Sequence, residues 1–413
     1  MKKTLPRLSV AALLGAVMLL EGARSFAEGP AVAVPLPYTG VNLPSGAFWR
    51  PKPDGTDRPQ MAWLQPHLSD YLWLHVSGAT IRTSPAAKNP NSVFVPMGAA
   101  YAPGPGGLNS DDYKKHLEWF KAHGCNCFRM VLWTMSWDGH TPYPSDVEFL
   151  HRLNTYWDPM IQYARQARIY VVIDDHEFMM PPPRKSTTGS AFLQTDPSGS
   201  GSWAKRIVYW TPETIALWQK RWGMVAKKYA DNPMVLGYEL MNEPHDWGDN
   251  VDTPRQALIG AIQAIRKYDQ KHIVLIPCDE WEHSRALERM WGRYLATQGN
   301  PDPLKNAVFA FHDYPHDNDP PAVRASISAF MQKHNVPVMC TEYGRTFEGG
   351  NSSVSVEDNK EFQKRLTDLY SSSKVGWLIW ITGGMSWQYE DVWVPAAKRD
   401  ASPVPAPNDP HIP

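Results

Sequence analysis

Eight short runs, rich in β-branched and apolar residues, recur along this chain with room for a helix between most neighbours. They are 93–100 (VFVPMGAA), 126–132 (NCFRMVL), 169–174 (IYVVID), 235–241 (VLGYELM), 273–277 (IVLIP), 308–312 (VFAFH), 337–341 (PVMCT) and 375–381 (VGWLIWI). Most are apolar at nearly every position rather than at alternate ones. Parallel strands covered on both faces read this way. The intervening segments carry helix punctuation. Ser110 precedes Asp111 and Asp112, and Tyr113, Leu117 and Phe120 form a stripe that Gly124 ends. Thr211-Pro212 opens a second helix, with Ile215, Trp218, Trp222, Val225 and Tyr229 stepping by three and four. Thr253-Pro254 repeats that signal before Leu258, Ile262 and Ile265, and 355–370 offers Phe362, Leu366 and Leu369. Eight strands alternating with helices predict an α/β fold, a (β/α)8 TIM barrel.

The flanks are different. Residues 1–27 have a basic end (Lys2, Lys3, Arg7), an apolar stretch too short to span a bilayer, and small residues at Ser25 and Ala27. They predict a signal peptide and a secreted or periplasmic protein, with no membrane contact after its removal. Residues 28–70 form an N-terminal extension, 71–395 the catalytic (β/α)8 domain, and 396–413 a Pro-rich C-terminal tail. Within 71–92 an N-terminal β-hairpin is expected to precede the barrel. The string GVNLPSG (40–46) is a rival first strand, but 93–100 leads directly into the first helix.

Lys and Arg number 41 against 42 Asp and Glu, so no basic field is available to hold nucleic acid. Cys125 and Cys127 lie two apart on one strand, and Cys278 and Cys340 fall on strands that are not neighbours. No disulfide is expected from that placement. Eighteen Trp and 17 Tyr supply flat aromatic surface suited to stacking on sugar rings.

In such a barrel, chemistry gathers where the C-terminal ends of the strands converge. Those ends read Arg129; Asp174-Asp175-His176; Met241-Asn242-Glu243-Pro244-His245; His312-Asp313-Tyr314; and Thr341-Glu342-Tyr343-Gly344. The eighth strand holds Trp380. Glu243 and Glu342 stand on the fourth and seventh strands, across the barrel from one another. A carboxylic acid to protonate a leaving oxygen and a second carboxylate to attack or activate water are what glycoside hydrolysis needs. Glu239 should point inward and demand a partner such as an Arg; Asp174 and Asp175 read as supporting groups.

LMNEPH (240–245), IDDHEF (173–178), HDY (312–314), TEYG (341–344) and the Trp of the last strand together resemble glycoside hydrolase family 5, the cellulase-like retaining glycosidases, over about 94–382. The resemblance implies Glu243 as acid/base and Glu342 as nucleophile. It implies Asn242 on the 2-hydroxyl of the reacting sugar, Arg129 beside Glu342 and Asn242, and Tyr314 donating to Glu342. His312 would lie by Glu243, His176 would line the same subsite, and Trp380 would form its floor. Glu243 is expected to hold its proton to high pH, chiefly because Glu342 is close. One departure is that the first strand ends Gly98-Ala99-Ala100, where the family commonly has Gly-Val-Asn.

Trp137, Trp247, Trp281 and Trp387 follow strand ends and are candidate sugar platforms, and loop 178–210 is a candidate cleft wall. The expected activity is a secreted, monomeric, retaining endo-β-1,4-glucanase acting on a β-linked polysaccharide or oligosaccharide, with no cofactor and no metal. β-Mannanase, β-1,3-glucanase, transglycosylase and non-catalytic glycan-binding barrel are the alternatives. The His and acid spacing disfavours a metal hydrolase.

Overall fold

The computed structural model describes residues 72–73, 93–94, 97–101, 112–122, 125–136, 143–180, 207–245, 247–314, 320–344, 361, 364–370 and 375–380. Eight strands close into a parallel barrel in chain order. They are β1 Met97–Tyr101, β2 Cys127–Leu132, β3 Tyr170–Asp175, β4 Val235–Glu239, β5 Ile273–Ile276, β6 Ala307–Asp313, β7 Val338–Tyr343 and β8 Gly376–Ile379. β8 closes on β1 through Trp377↔Met97, Leu378↔Gly98 and Ile379↔Ala99. The run at 93–100 therefore supplies the first barrel strand, beginning at Met97; 40–46 lies outside the described residues.

The hairpin expected within 71–92 lies, apart from Leu72 and Trp73, outside the described residues. Leu72–Trp73 pairs with Val93–Phe94 in parallel, Leu72 opposite Val93.

Along the strands, side chains sort by parity. Tyr170, Val172, Ile273, Leu275, Val308, Ala310, Met339 and Leu378 form one buried cluster. Their alternates, Val171, Ile173, Val274, Ile276, Phe309 and Phe311, join the larger cluster with the helices. A barrel interior filled by side chains and an outer layer between strands and helices account for the two sets. Two steps further along the interior rows of β2, β3 and β6 stand Arg129, Asp174 and His312, each with 0% exposure. The apolar plug thus carries a polar layer on its C-terminal side.

The helices follow their signals closely. Asp112–Ala122 buries Tyr113, Leu117 and Phe120. Pro212–Tyr229 starts at Thr211, whose hydroxyl accepts the Thr214 N–H in a capping box. The third signal is misplaced: Asp252–Arg266 begins one residue before Thr253, with Val251 at the cap and no side-chain cap. Val251 is already near-helical (φ −70°, ψ −9°), so Thr253 falls inside the first turn. Pro254 is tolerated there because its missing N–H would have had no helical acceptor. A long connection between β2 and β3 runs through Asp146–Arg152, a π-helical turn at Leu153–Trp157, and Asp158–Ala167. Pro320–His334 follows β6, and 364–370 is helical with Leu366 and Leu369 buried; Phe362 lies outside the described residues. All four cysteines are buried free thiols.

Candidate active site

Arg129 organises the polar layer. Its Nε and Nη2 donate to the two oxygens of Glu239 at 2.7 and 3.1 Å. Nη1 donates to Glu342 Oε2 at 2.7 Å and Nη2 to Asn242 Oδ1 at 2.9 Å. Asp174 Oδ1 lies 3.0 Å from Nη2. One planar fork thereby joins β2 to β3, β4, β7 and the loop after β4, which a point-charge ammonium cannot do. The inward Glu239 has found the Arg it required. Burial opposes its charge, but Arg129 and His312 together outweigh that and bring its pKa down to about 2.

Two skips in strand pairing aim the acids. β6 and β7 pair Phe311↔Cys340 and then His312↔Glu342, passing over Thr341. β3 and β4 pair Val171↔Val235 and then Val172↔Gly237, passing over Leu236, which sets Glu239 opposite Asp174. Such irregularities re-aim side chains beside active sites. Glu342 is then held on both oxygens, Oε2 by Arg129 and Oε1 by the Tyr314 hydroxyl at 2.6 Å.

Glu243 faces it. His312 Nδ1 lies 3.0 Å from Glu243 Oε1, and His312 Nε2 lies 3.2 Å from Thr341 Oγ1. An oxygen of Glu243, an oxygen of Glu342 and a His312 nitrogen all lie within 4.8 Å of one another. The Glu243 pKa is raised, first by burial and then by the charge of Glu342. The sequence reading put Glu342 first; removal from water is the greater cause, because the carboxyl sits among buried side chains at the rim. Burial works against charge on His312, but Glu282 and Glu342 outweigh it and hold the ring well above the usual histidine range.

On the other side His176 Nδ1 lies 2.7 Å from Asp174 Oδ2. Its ring stacks flat on Trp380, centroids 4.8 Å apart and planes at 4°. Asp175 turns away from the centre, taking the Thr134 N–H, the Thr134 hydroxyl and the Trp218 indole N–H. The structure therefore brings Arg129, His176, Asn242, Glu243, His312, Tyr314, Glu342 and Trp380 to one end of the barrel.

Of the candidate platforms, Trp281 is 45% exposed and stacks on His245 at 3.6 Å. His245 Nδ1 in turn lies 2.7 Å from the Glu243 carbonyl. A recess of about 290 Å³ adjoins Trp281, bordered by Glu280, Arg285 and Arg289. Trp247 is a correction: with 6% exposure it packs in the core and offers a sugar no open face. Trp137, Trp387 and most of loop 178–210 lie outside the described residues. The ends of that loop pair in parallel, Phe178–Met180 with Ile207–Tyr209.

Sequence reasoning missed Glu282. It is fully buried after β5, with Oε2 accepting the Glu243 N–H at 2.9 Å. Three acids within DEWEH (279–283) carry no mark of which one turns inward. Glu239, Glu282 and His312, or Glu243, His312 and Glu342, have ligand atoms close enough for a cation. However, both Glu239 oxygens and one Glu342 oxygen are bonded to Arg129, and both His312 ring nitrogens face protein oxygens, Glu243 Oε1 and Thr341 Oγ1. The donor set is arranged as a network of paired charges.

The family profile described as Cellulase (glycosyl hydrolase family 5) matches residues 104–386. An endoglucanase of Paenibacillus polymyxa is 25% identical over 305 residues, 66% of this chain and 70% of its own. A manganese dependent endoglucanase, Eg5A of Phanerodontia chrysosporium, is 24% identical over 369 residues, 82% of this chain and 86% of its own. The β-glucanase SdGluc5_26A of Saccharophagus degradans shares the fold, with TM-score 0.55 and 17% identity over 75% of this chain and 90% of that one. Its complex with cellotetraose gives TM-score 0.55 at 16% identity, with the same coverage.

Proposed function

The chain belongs to glycosyl hydrolase family 5, and on that premise we propose that it is a secreted, retaining endo-β-1,4-glucanase with Glu342 as nucleophile and Glu243 as acid/base. The observation that carries this reading is the close approach of the two carboxylates, with oxygens within 4.8 Å. Retaining pairs sit about 5–5.5 Å apart, and inverting pairs about 6.5–9.5 Å to admit a water. Oxygens this near agree with the retaining spacing better than with the inverting one. An intact acid pair, with the Glu243 pKa raised by burial and then by Glu342, also speaks against a binding-only barrel.

In the first step an oxygen of Glu342 bonds to the anomeric carbon while Glu243 gives its proton to the departing glycosidic oxygen. In the second, Glu243 takes a proton from water, and the hydroxyl displaces Glu342. Arg129 and Tyr314 fix the attacking carboxylate, so its approach costs little reorganisation. Asn242, its Oδ1 held by Arg129, turns its amide N–H2 towards Glu243 Oε2 at 3.5 Å, beside the place where the 2-hydroxyl of the reacting sugar would lie. Trp380, 8% exposed and stacked on His176, borders that subsite rather than offering it a wide open face. Trp281 lies on the Glu243 side, where the leaving sugar sits, and its half-open face suits stacking there. The glucan preference rests on what the relatives are named to act on, and export rests on residues 1–27.

The test is hydrolysis of soluble β-glucans, mannans and β-1,3-glucan by the wild type and Glu342→Gln, with the anomer of the first product read by NMR. The expected result is β-1,4-glucan cleavage with a β-anomer first. Glu342→Gln should lose several orders of magnitude in kcat while still binding oligosaccharide. An α-anomer first, or a Glu342→Gln rate within about tenfold of wild type, only ~1.4 kcal/mol in barrier, would refute the assignment.

A further inference from the structure

Three consecutive residues after β5 hold positive φ: Glu280 at 57°, Trp281 at 58° and Glu282 at 57°. None is glycine, and each such residue costs about 1–2 kcal/mol. A strained run of this kind persists only where surrounding contacts over-determine it. The contacts converge on the two residues that flank the proton-transfer site. The Trp281 N–H donates to the Pro244 carbonyl at 3.2 Å, and the His312 N–H donates to the Glu282 carbonyl at 2.7 Å. A bridge between His283 and His312 continues the latter.

The Glu282 side chain completes the clamp. Oε2 accepts the Glu243 N–H at 2.9 Å and lies 3.3 Å from His312 Nε2. The other ring nitrogen of His312 is the one 3.0 Å from Glu243 Oε1. Glu243 itself has φ 45°, a second strained position that this hydrogen bond holds in place. Glu282 thus reaches Glu243 by two routes, its main chain directly and its carboxyl through the ring. Its Oε1 has no hydrogen-bond partner among the described residues.

We propose that Glu282 is a positioning residue for proton delivery, fixing the Glu243 main chain and, through His312, the rotamer from which the Glu243 carboxyl reaches the glycosidic oxygen. The inference rests on the retaining reading above. It concerns the step in which the O–H bond of Glu243 breaks, the proton goes to the leaving oxygen, and the sugar departs as a neutral alcohol. Glu243 is left as a carboxylate beside the His312 ring.

Leaving-group dependence tests it. A dinitrophenyl glycoside departs without acid help, whereas an unsubstituted phenyl glycoside of the same disaccharide needs the proton. Glu282→Leu should lower kcat/KM on the phenyl glycoside by about 30–100-fold, and on the dinitrophenyl glycoside by less than about threefold. Glu282→Gln, which can still accept the Glu243 N–H, should fall between wild type and Glu282→Leu. It also decides the matter should the leucine variant not fold. Equal losses on both substrates would mean a structural role and overturn the proposal, as would no loss on either. A wild type that cleaves no β-glycoside would instead overturn the functional reading itself, and this inference with it.

Discussion

Arg129 is the residue on which most of the site depends. It is wholly buried and binds Glu239, Asn242 and Glu342 with separate N–H groups. Breaking one partner out of a buried ion pair costs about 3–5 kcal/mol. Arg129→Met should approach that loss in denaturant melts, because Glu239 is left charged without its counter-ion. Arg129→Lys should recover part of the stability but little activity, staying at least ~100-fold below wild type in kcat, since a single ammonium cannot hold Asn242 and Glu342 together. Glu243 yields a second expectation. Burial and then Glu342 raise its pKa, so it remains an acid above the ordinary carboxylic range. The kcat/KM profile should fall on the alkaline side as Glu243 loses its proton. On a dinitrophenyl glycoside, which departs without acid help, the wild type itself should lack that alkaline limb; an unchanged limb there would assign it to another group.

At the level of elements, local signals and close contacts carry different weight. The Thr211 hydroxyl accepts the Thr214 N–H at 3.3 Å, and the Thr211 N–H donates to Thr214 Oγ1 at 2.7 Å. Thr211→Ala should cost about 1 kcal/mol, seen as a lower urea midpoint, with kcat unchanged. Gly98 is a harsher position. A Cβ there would meet the Cys127 carbonyl oxygen at 1.8 Å, and backbone cannot step aside as a side chain can. Gly98→Ala should therefore part β1 from β2, the strand that carries Arg129. The melting temperature and activity should fall together, well beyond the effect of Thr211→Ala. Similar effects of the two substitutions would show that the β1–β2 contact is looser than described.

For the whole molecule, the buried acids set how stability changes with pH. Glu177 Oε1 takes the N–H groups of Met135 and Ser136 and the Ser136 hydroxyl, while burial raises its pKa to about 8. The folded state therefore keeps this proton while the unfolded chain releases it near pH 4.3. Its contribution to stability is full below that value and is lost as pH rises towards about 8. Glu239, at about 2, acts oppositely, adding stability above the unfolded value and losing it only in strong acid. Thermal melts should accordingly show a decline between pH 5 and 9. Glu177→Gln, whose amide stands in for the neutral acid, should reduce it, Asp175, raised to about 7 by burial, supplying part of the remainder; a decline that persists unchanged would place its source away from Glu177.

The strands, the barrel and the acid pair were legible before any coordinates, because each is written locally. An apolar run of five to eight residues calls for cover on both faces, a Thr-Pro opens a helix, and a strand end in such a barrel points at the cleft. Arg129, Asn242, Glu243, His312, Tyr314 and Glu342 all stood at those ends. What the local pattern could not carry was depth, register and partnership. Trp247 and Trp281 both follow strand ends, yet one packs in the core and the other stands 45% exposed. The skips at Thr341 and Leu236 are properties of two strands pairing, and neither strand alone encodes them. Glu282 is the sharpest case. Asp279, Glu280 and Glu282 are near-equivalent in sequence, and only the closed barrel, bringing β4, β5 and β6 side by side, gives one of them a backbone N–H and a charged ring to meet.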